Sequence, residues 1–248
     1  MARHENSIPI KGFLETSFLD WPGKIASVIF LPSCNFRCPF CQNVTLVLNP
    51  QCLKTWPLPE ALQRMKELKD WIDGVCITGG EPTLQATLPD FIRIFKKRNL
   101  LVKLDTNGSN PHMIETLLKE NLVDAIAMDV KAPLEEISYA RLTGVPVDLK
   151  AIKKSIDLIR KSPVEKIFRI TVVPEMLTEE DIYRVAEDLY PIDKLLLQQF
   201  SPENTLDPQL KQETPWPQEK IEEVQRQVDQ ILTDRKTKPK DGLQKNKR

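Results

Sequence analysis

The sequence predicts a parallel α/β fold, and three observations predict it. Six short apolar runs bounded by turn residues recur along the 248 residues, each the length of a buried strand. Segments with helical spacing separate them, and this alternation calls for crossover connections and hence a parallel sheet. Every unusual polar cluster also leaves the carboxyl end of one of these runs, and in a parallel architecture those ends share the rim where ligands bind. A doubly wound sheet and an incomplete barrel both satisfy the pattern. No GxGxxG follows the first run, which weakens the dinucleotide-binding version of the former.

In chain order, residues 8–24 hold Gly12, Pro22 and Gly23 around short apolar stretches, which suggests a hairpin or extended arm. Residues 26–31 form the first core strand, and a cysteine-rich loop leaves it. Apolar residues Leu62, Met65, Leu68 and Trp71 give helical spacing over 58–71. A strand from Gly74 follows, with Cys76 as a small core residue, and ends in Gly79-Gly80-Glu81-Pro82. Helices over 89–98 and 111–119 flank a strand at 100–104 that leads into Asp105-Thr106-Asn107-Gly108. The strand at 123–128 ends in Asp129-Val-Lys131, a helix covers 149–161, and the strand at 166–173 ends in Pro174-Glu175. Thr178-Glu-Glu-Asp has the hydroxyl and first-turn acids of a helix start. The sixth strand, 194–197, runs into Gln198-Gln199, and 217–233 is a final amphipathic helix.

The length fits one large domain, 25–233, with an N-terminal arm at 1–24 and a basic, unstructured tail at 234–248. Hydrophobic residues make up 41% and charged residues 28%, as in ordinary soluble proteins. No apolar stretch approaches a membrane span and the first residues lack a signal-peptide core, so no membrane association and a cytoplasmic location are expected. Formal charge is zero, but the last fourteen residues carry seven Lys or Arg against one Asp. No aromatics are interleaved there to stack on bases, so the tail reads as a solvated end and nucleic acid is not expected.

The chemistry centres on Cys34, Cys38 and Cys41. Three thiolates within eight residues suit one soft metal centre, because an odd number leaves a disulfide partner missing. Five cysteines in all, three of them clustered, fit a reducing compartment. Zinc and iron-sulfur clusters both accept such ligands, and a closed site needs four. Only His4 and His112 exist, neither near the triplet, and Cys52 lies across a Pro-containing loop. On the residues alone, two readings stand: a zinc or stabilising cluster site closed by Cys52, or a four-iron cluster with one iron open to a small molecule.

The CxxxCxxC spacing with Phe40 before the last Cys resembles the signature of the radical S-adenosylmethionine (SAM) superfamily. That resemblance implies a partial (β/α)6 TIM-type barrel and a 4Fe-4S cluster held by Cys34, Cys38 and Cys41. Its open iron would chelate the amino and carboxylate groups of SAM and deliver the electron that releases a 5′-deoxyadenosyl radical. Gly79-Gly80-Glu81-Pro82 matches the family's SAM amino-group segment in full: glycines let backbone approach a ligand closely, and Glu81 adds an acceptor. Without the resemblance it is a glycine turn capped by proline.

Asp105-Thr106 and Met128-Asp129-Val-Lys131 resemble the glycyl-radical enzyme activases in particular. There the two aspartates help form a monovalent-cation site beside the SAM carboxylate, and Lys131 lies at the same end; hard oxygen ligands suit such a cation. Taken alone, strand-end aspartates are helix caps or turn residues. Arg169, inside an apolar strand, needs a buried anionic partner or must point at the barrel mouth, where SAM, a substrate carbonyl or a structural carboxylate would meet it. Gln199 is placed near the ribose. The stretch from Leu14 to Lys24 resembles the opening of activating proteins for anaerobic ribonucleotide reductases, the alternative for Asp20 and Trp21 being turn chemistry before Pro22. One departure is Gln42, where many related activases carry His.

The implied function is an activase that removes a hydrogen atom from a glycine of a partner, an anaerobic ribonucleoside-triphosphate reductase, with a flavodoxin or ferredoxin as electron donor. A radical SAM enzyme acting on a small molecule is the second reading, and a non-catalytic iron-sulfur or zinc protein the third. Few residues remain beyond the six βα units to build a lid, so an open mouth is expected.

Overall fold

The computed structural model describes residues 8–237. Strand β1 (Gly12–Ser17) pairs antiparallel with β2 (Ala26–Leu31), so the stretch 8–24, expected as a hairpin or an extended arm, supplies one strand of a hairpin that the first core strand completes. β3 (Gly74–Gly79), β4 (Leu101–Thr106), β5 (Ala125–Asp129), β6 (Glu165–Val172) and β7 (Leu195–Gln199) follow, each parallel to the strand before it. The sheet order is strictly sequential, β1 to β7. Each crossover therefore steps one strand in the same direction, with none of the order reversal that defines a doubly wound sheet. The fold is a partial (β/α)6 barrel carrying one extra antiparallel strand, its sheet left open between β1 and β7.

The helices are α1 (Val44–Leu48), α2 (Leu58–Glu67), α3 (Leu88–Lys96), α4 (Pro111–Lys119), α5 (Glu136–Thr143), α6 (Leu149–Lys161), α7 (Glu179–Leu189) and α8 (Gln218–Thr237). They explain the apolar strands: β2 and β3 are covered on both faces and read as almost unbroken hydrophobic runs. α6 buries Ile152, Ile156 and Ile159, the i, i+4, i+7 stripe of a helix packed on a sheet. Thr178 and Asp181 form the capping box expected at the start of α7. Among the described residues no helix is long and apolar enough to cross a membrane.

Among the stretches that differ from expectation, α1 is a five-residue helix too short to show a period. α2 stops at Glu67, the Trp71 amide bonds back to the Leu68 carbonyl in a turn, and Ile72 takes the core position. Trp71 is consequently 72% exposed. α5 was not foreseen, because eight residues with Tyr139 and Leu142 as their large buried side chains are too short to show a period. α8 runs on to Thr237, past the expected 233; the rest of the basic tail, 238–248, and His4 lie outside the described residues.

The barrel interior takes its shape from β5, whose inward positions Ala125 and Ala127 are small and leave a lumen. Its floor is filled from the β1–β2 connection. Trp21 is fully buried against Ala26 and Ala125, and its indole N–H donates to Glu165 Oε2 at 3.0 Å. Asp20 serves the turn, accepting from the Ser17 hydroxyl at 2.5 Å.

Candidate functional site

The cysteine loop leaves the carboxyl end of β2 and is held from three sides. On the first, Gly80 and Glu81 donate their amides to the Leu31 and Ser33 carbonyls at 2.9 and 2.7 Å. This approach is why both glycines are glycines. A Cβ on Gly80 would lie 1.9 Å from the Ser33 oxygen, and one on Gly79, at φ +122°, 2.3 Å from the Leu31 oxygen. On the second side, the Arg37 amide donates to Thr143 O at 2.8 Å, at the carboxyl end of α5. On the third, the segment after β7 reaches back: Asp207 N to Pro39 O at 2.8 Å, Asn204 Nδ2 to Gln42 O at 2.8 Å, and Gln42 Nε2 to Ser201 O at 3.2 Å.

Gly144, the left-handed cap of α5 at φ +68°, sits so close to the loop that a Cβ would lie 2.2 Å from the Arg37 carbonyl oxygen. Gly144→Ala is expected to cost about 2–4 kcal/mol through left-handed backbone strain and overlap with a fixed carbonyl. That corresponds to roughly 4–16 °C in thermal midpoint for a domain of this size. An unchanged midpoint by circular dichroism would show that the loop yields without penalty.

Cys34, Cys38 and Cys41 are free thiols that all open into one cavity of about 280 Å³, close to the lower end of small-molecule pockets. Gly79, Gly80, Glu81, Asp105, Asp129, Lys131 and Gln199 also line it, together with Asn43, Asn107 and Thr171. Arg169 does not; it lies beneath. Cys52 is exposed in a 3-10 turn and Cys76 is buried in β3, and neither lines the cavity. His112 starts α4, also away from it. Among the described residues no group of three His, Cys, Asp or Glu is arranged to hold a single metal ion.

Burial raises all three thiols, Cys38 to about 12, while the Lys131 ammonium opposes the rise at each. A metal centre taking them as thiolates would therefore displace protons. Lys131 also stands 5.7 Å from the centre of the Phe40 ring.

Glu81 is 0% exposed, and its carboxylate is fully engaged. Oε1 accepts from the Thr83 amide and hydroxyl at 3.1 and 2.5 Å and from the Thr106 hydroxyl at 2.7 Å, and Oε2 from the Asn107 amide at 2.7 Å. Burial raises its pKa against these four donors. Glu81 thus ties the loop after β3 to the loop after β4, and Asn107 carries the tie on to Cys34 Sγ at 3.8 Å.

Below the cavity lies a row of alternating charge. Register sets Asp129 beside Arg169, and Arg169 Nε donates to Asp129 Oδ1 at 2.8 Å and Nη1 to Asp105 Oδ2 at 3.2 Å. Of the partners the sequence allowed for Arg169, the structural carboxylates are the ones it has. Lys131 Nζ donates to Asp129 Oδ2 at 3.2 Å, and Lys103 Nζ to Asp105 Oδ1. Although burial alone would raise the Asp129 carboxyl, Arg169 and Lys131 hold it at about 2. Gln199 lies at the exposed edge of the cavity and donates to Trp216 O at 2.6 Å.

Sequence reasoning passed over Lys103, Asn43 and Asn107. The first had a visible signal, a lysine two residues before Asp105 inside an apolar strand. Asn43, which donates to Gly79 O at 2.7 Å, had none.

Comparison with known proteins matches residues 28–189 to the Radical SAM superfamily model. A Methanocaldococcus jannaschii protein, provisionally named a glycyl-radical enzyme activating enzyme, is 36% identical over 85% of this chain and 87% of its own length. The pyruvate formate-lyase-activating enzyme of Clostridium pasteurianum is 26% identical over 76% and 79%. Among solved structures, Streptococcus suis SuiB bound to its precursor peptide SuiA superposes with a TM-score of 0.63 at 17% identity. That match covers 84% of this chain and 46% of the longer SuiB chain, a likeness of fold.

Proposed function

The chain belongs to the radical SAM superfamily, and on that premise we propose that it generates a glycyl radical on a partner enzyme, an anaerobic ribonucleoside-triphosphate reductase. It is a radical SAM oxidoreductase whose cofactors are a 4Fe-4S cluster and SAM. The observation that carries the reading is the cavity lining: three thiols and no fourth Cys or His, a donor set that fits a cluster with one iron left for another ligand. Together, cluster and SAM supply a one-electron cleavage that yields methionine and a 5′-deoxyadenosyl radical.

The residues of the chain divide the work of holding these groups. Cys34, Cys38 and Cys41 bind the cluster. Gly79 and Gly80 present backbone to the amino end of SAM, and Glu81 fixes that segment against the Asn107 loop. Lys131, set by Asp129, meets the carboxylate end as a charge-assisted partner. Gln199, at the rim, faces the ribose. The lining residues Gln42, Gln198 and Gln199 are solvent-exposed, so the mouth is open enough to admit a loop of another protein. What is held against the radical decides the substrate. The choice of reductase rests on the stretch from Leu14 to Lys24, and a flavodoxin or ferredoxin is the proposed electron donor.

Anaerobic reconstitution followed by reduction should release 5′-deoxyadenosine from SAM. Adding the co-occurring anaerobic reductase should then produce a doublet glycyl radical signal by electron paramagnetic resonance. Hydrogen transfer to 5′-deoxyadenosine from a small metabolite, with no signal on the reductase, would move the assignment to a small-molecule enzyme.

A further inference from the structure

We propose that Lys103 is a positioning residue that supplies the cation beside Asp105, in the place where a monovalent metal ion was expected, so that SAM binding by this protein is independent of Na+ and K+. The inference rests on the reading that Asp105 and Asp129 face bound SAM.

A metal ion is needed at paired carboxylates when nothing else neutralises them in a closed interior. Here all four carboxylate oxygens already have cationic partners. Asp105 takes Lys103 on one oxygen and Arg169 on the other, and Asp129 takes Arg169 and Lys131. Lys103, Arg169 and Lys131 against two aspartates leave one surplus positive charge. Such a cluster attracts a carboxylate and repels a further cation.

The sheet register builds this arrangement. Lys103 on β4 stands opposite Cys76 on β3 and Ala125 on β5. The alanine leaves room for the lysine stem, and the period-2 alternation puts Lys103 and Asp105 on one face. Its side chain is 1% exposed, and Nζ has Cys76 Sγ at 3.6 Å as a second neighbour. A lysine ammonium is a compact point charge, as an alkali ion is, but it is tethered and cannot dissociate.

The test uses the cluster-loaded protein in its oxidised state, where SAM binds without being cleaved. SAM titrations by calorimetry in potassium, sodium and tetramethylammonium chloride at equal ionic strength should give wild-type dissociation constants agreeing within about twofold. Lys103→Met should weaken binding about tenfold in tetramethylammonium, the equivalent of one charge-assisted hydrogen bond, and recover in potassium or sodium as a small ion enters beside Asp105. A wild-type affinity that falls about tenfold in tetramethylammonium overturns the proposal, whether or not the variant folds. So does a folded, iron-replete Lys103→Met protein whose lost affinity no ion restores. Unchanged SAM affinity in Asp105→Asn would instead sink the underlying reading of the aspartates, and the inference with it.

Discussion

Replacing Cys34, Cys38 or Cys41 by Ala is expected to leave the reconstituted protein without its cluster and to reduce SAM cleavage to background. The three thiols open into one cavity whose lining offers no other Cys or His to take over. A cluster bound through two thiolates would lose a ligand that no neighbour replaces. Cys52→Ala should keep full iron content and the reduced-cluster spectrum, since Cys52 is exposed and outside the cavity. Cys76→Ala should keep both as well, at a stability cost of about 1 kcal/mol for the lost packing between Lys103 and Asp105. Iron analysis and electron paramagnetic resonance of the reduced proteins read these outcomes directly. Loss of the cluster in Cys52→Ala would show that a fourth cysteine closes the site, and the open-iron arrangement would be wrong.

Arg169→Met should be the most damaging change outside the cysteine loop. It removes the one side chain that bridges Asp105 and Asp129, leaving each with a single cationic partner in a largely buried site. Breaking a buried ion pair from one side costs about 3 kcal/mol or more, because the stranded charge has lost its solvation and its partner. For a domain of this size that is roughly 6–12 °C in thermal midpoint. SAM affinity should fall in parallel as the Asp129–Lys131 pair loses its anchor. Arg169→Lys should rescue little, since a point ammonium cannot reproduce a planar fork that reaches two carboxylates at once. If Arg169→Lys unfolds and binds SAM like the wild type, bridging is not what the position requires.

The parts of the site that were legible in the sequence are those whose residue types are improbable without a job. A cysteine triplet, a glycine pair before Glu-Pro, and an arginine in an apolar strand each announce a constraint, and strand-end position gathers the first two on one rim. Illegible were constraints set by distant backbone. Gly79 and Gly80 read as room for a ligand, whereas the closest approach they permit is to Leu31 and Ser33. The return of Asn204 and Asp207 to the cysteine loop spans over 160 residues, and no local pattern encodes it. Lys103 was available to the argument already applied to Arg169. The strand alternation was read well because both faces are covered, while α5 was lost because two apolar contacts do not make a period.

The seating of Trp21 has a consequence for the timing of synthesis. Its hydrogen-bond acceptor, Glu165, lies 144 residues later in the chain. A ribosome adding 5–20 residues per second needs on the order of ten seconds to cover that interval. To its end the indole lacks its acceptor, and for most of it also the β5 wall that covers it. The segment that carries Trp21 is thus among the later parts to find its place, since closing the floor waits on a residue made 144 positions after it.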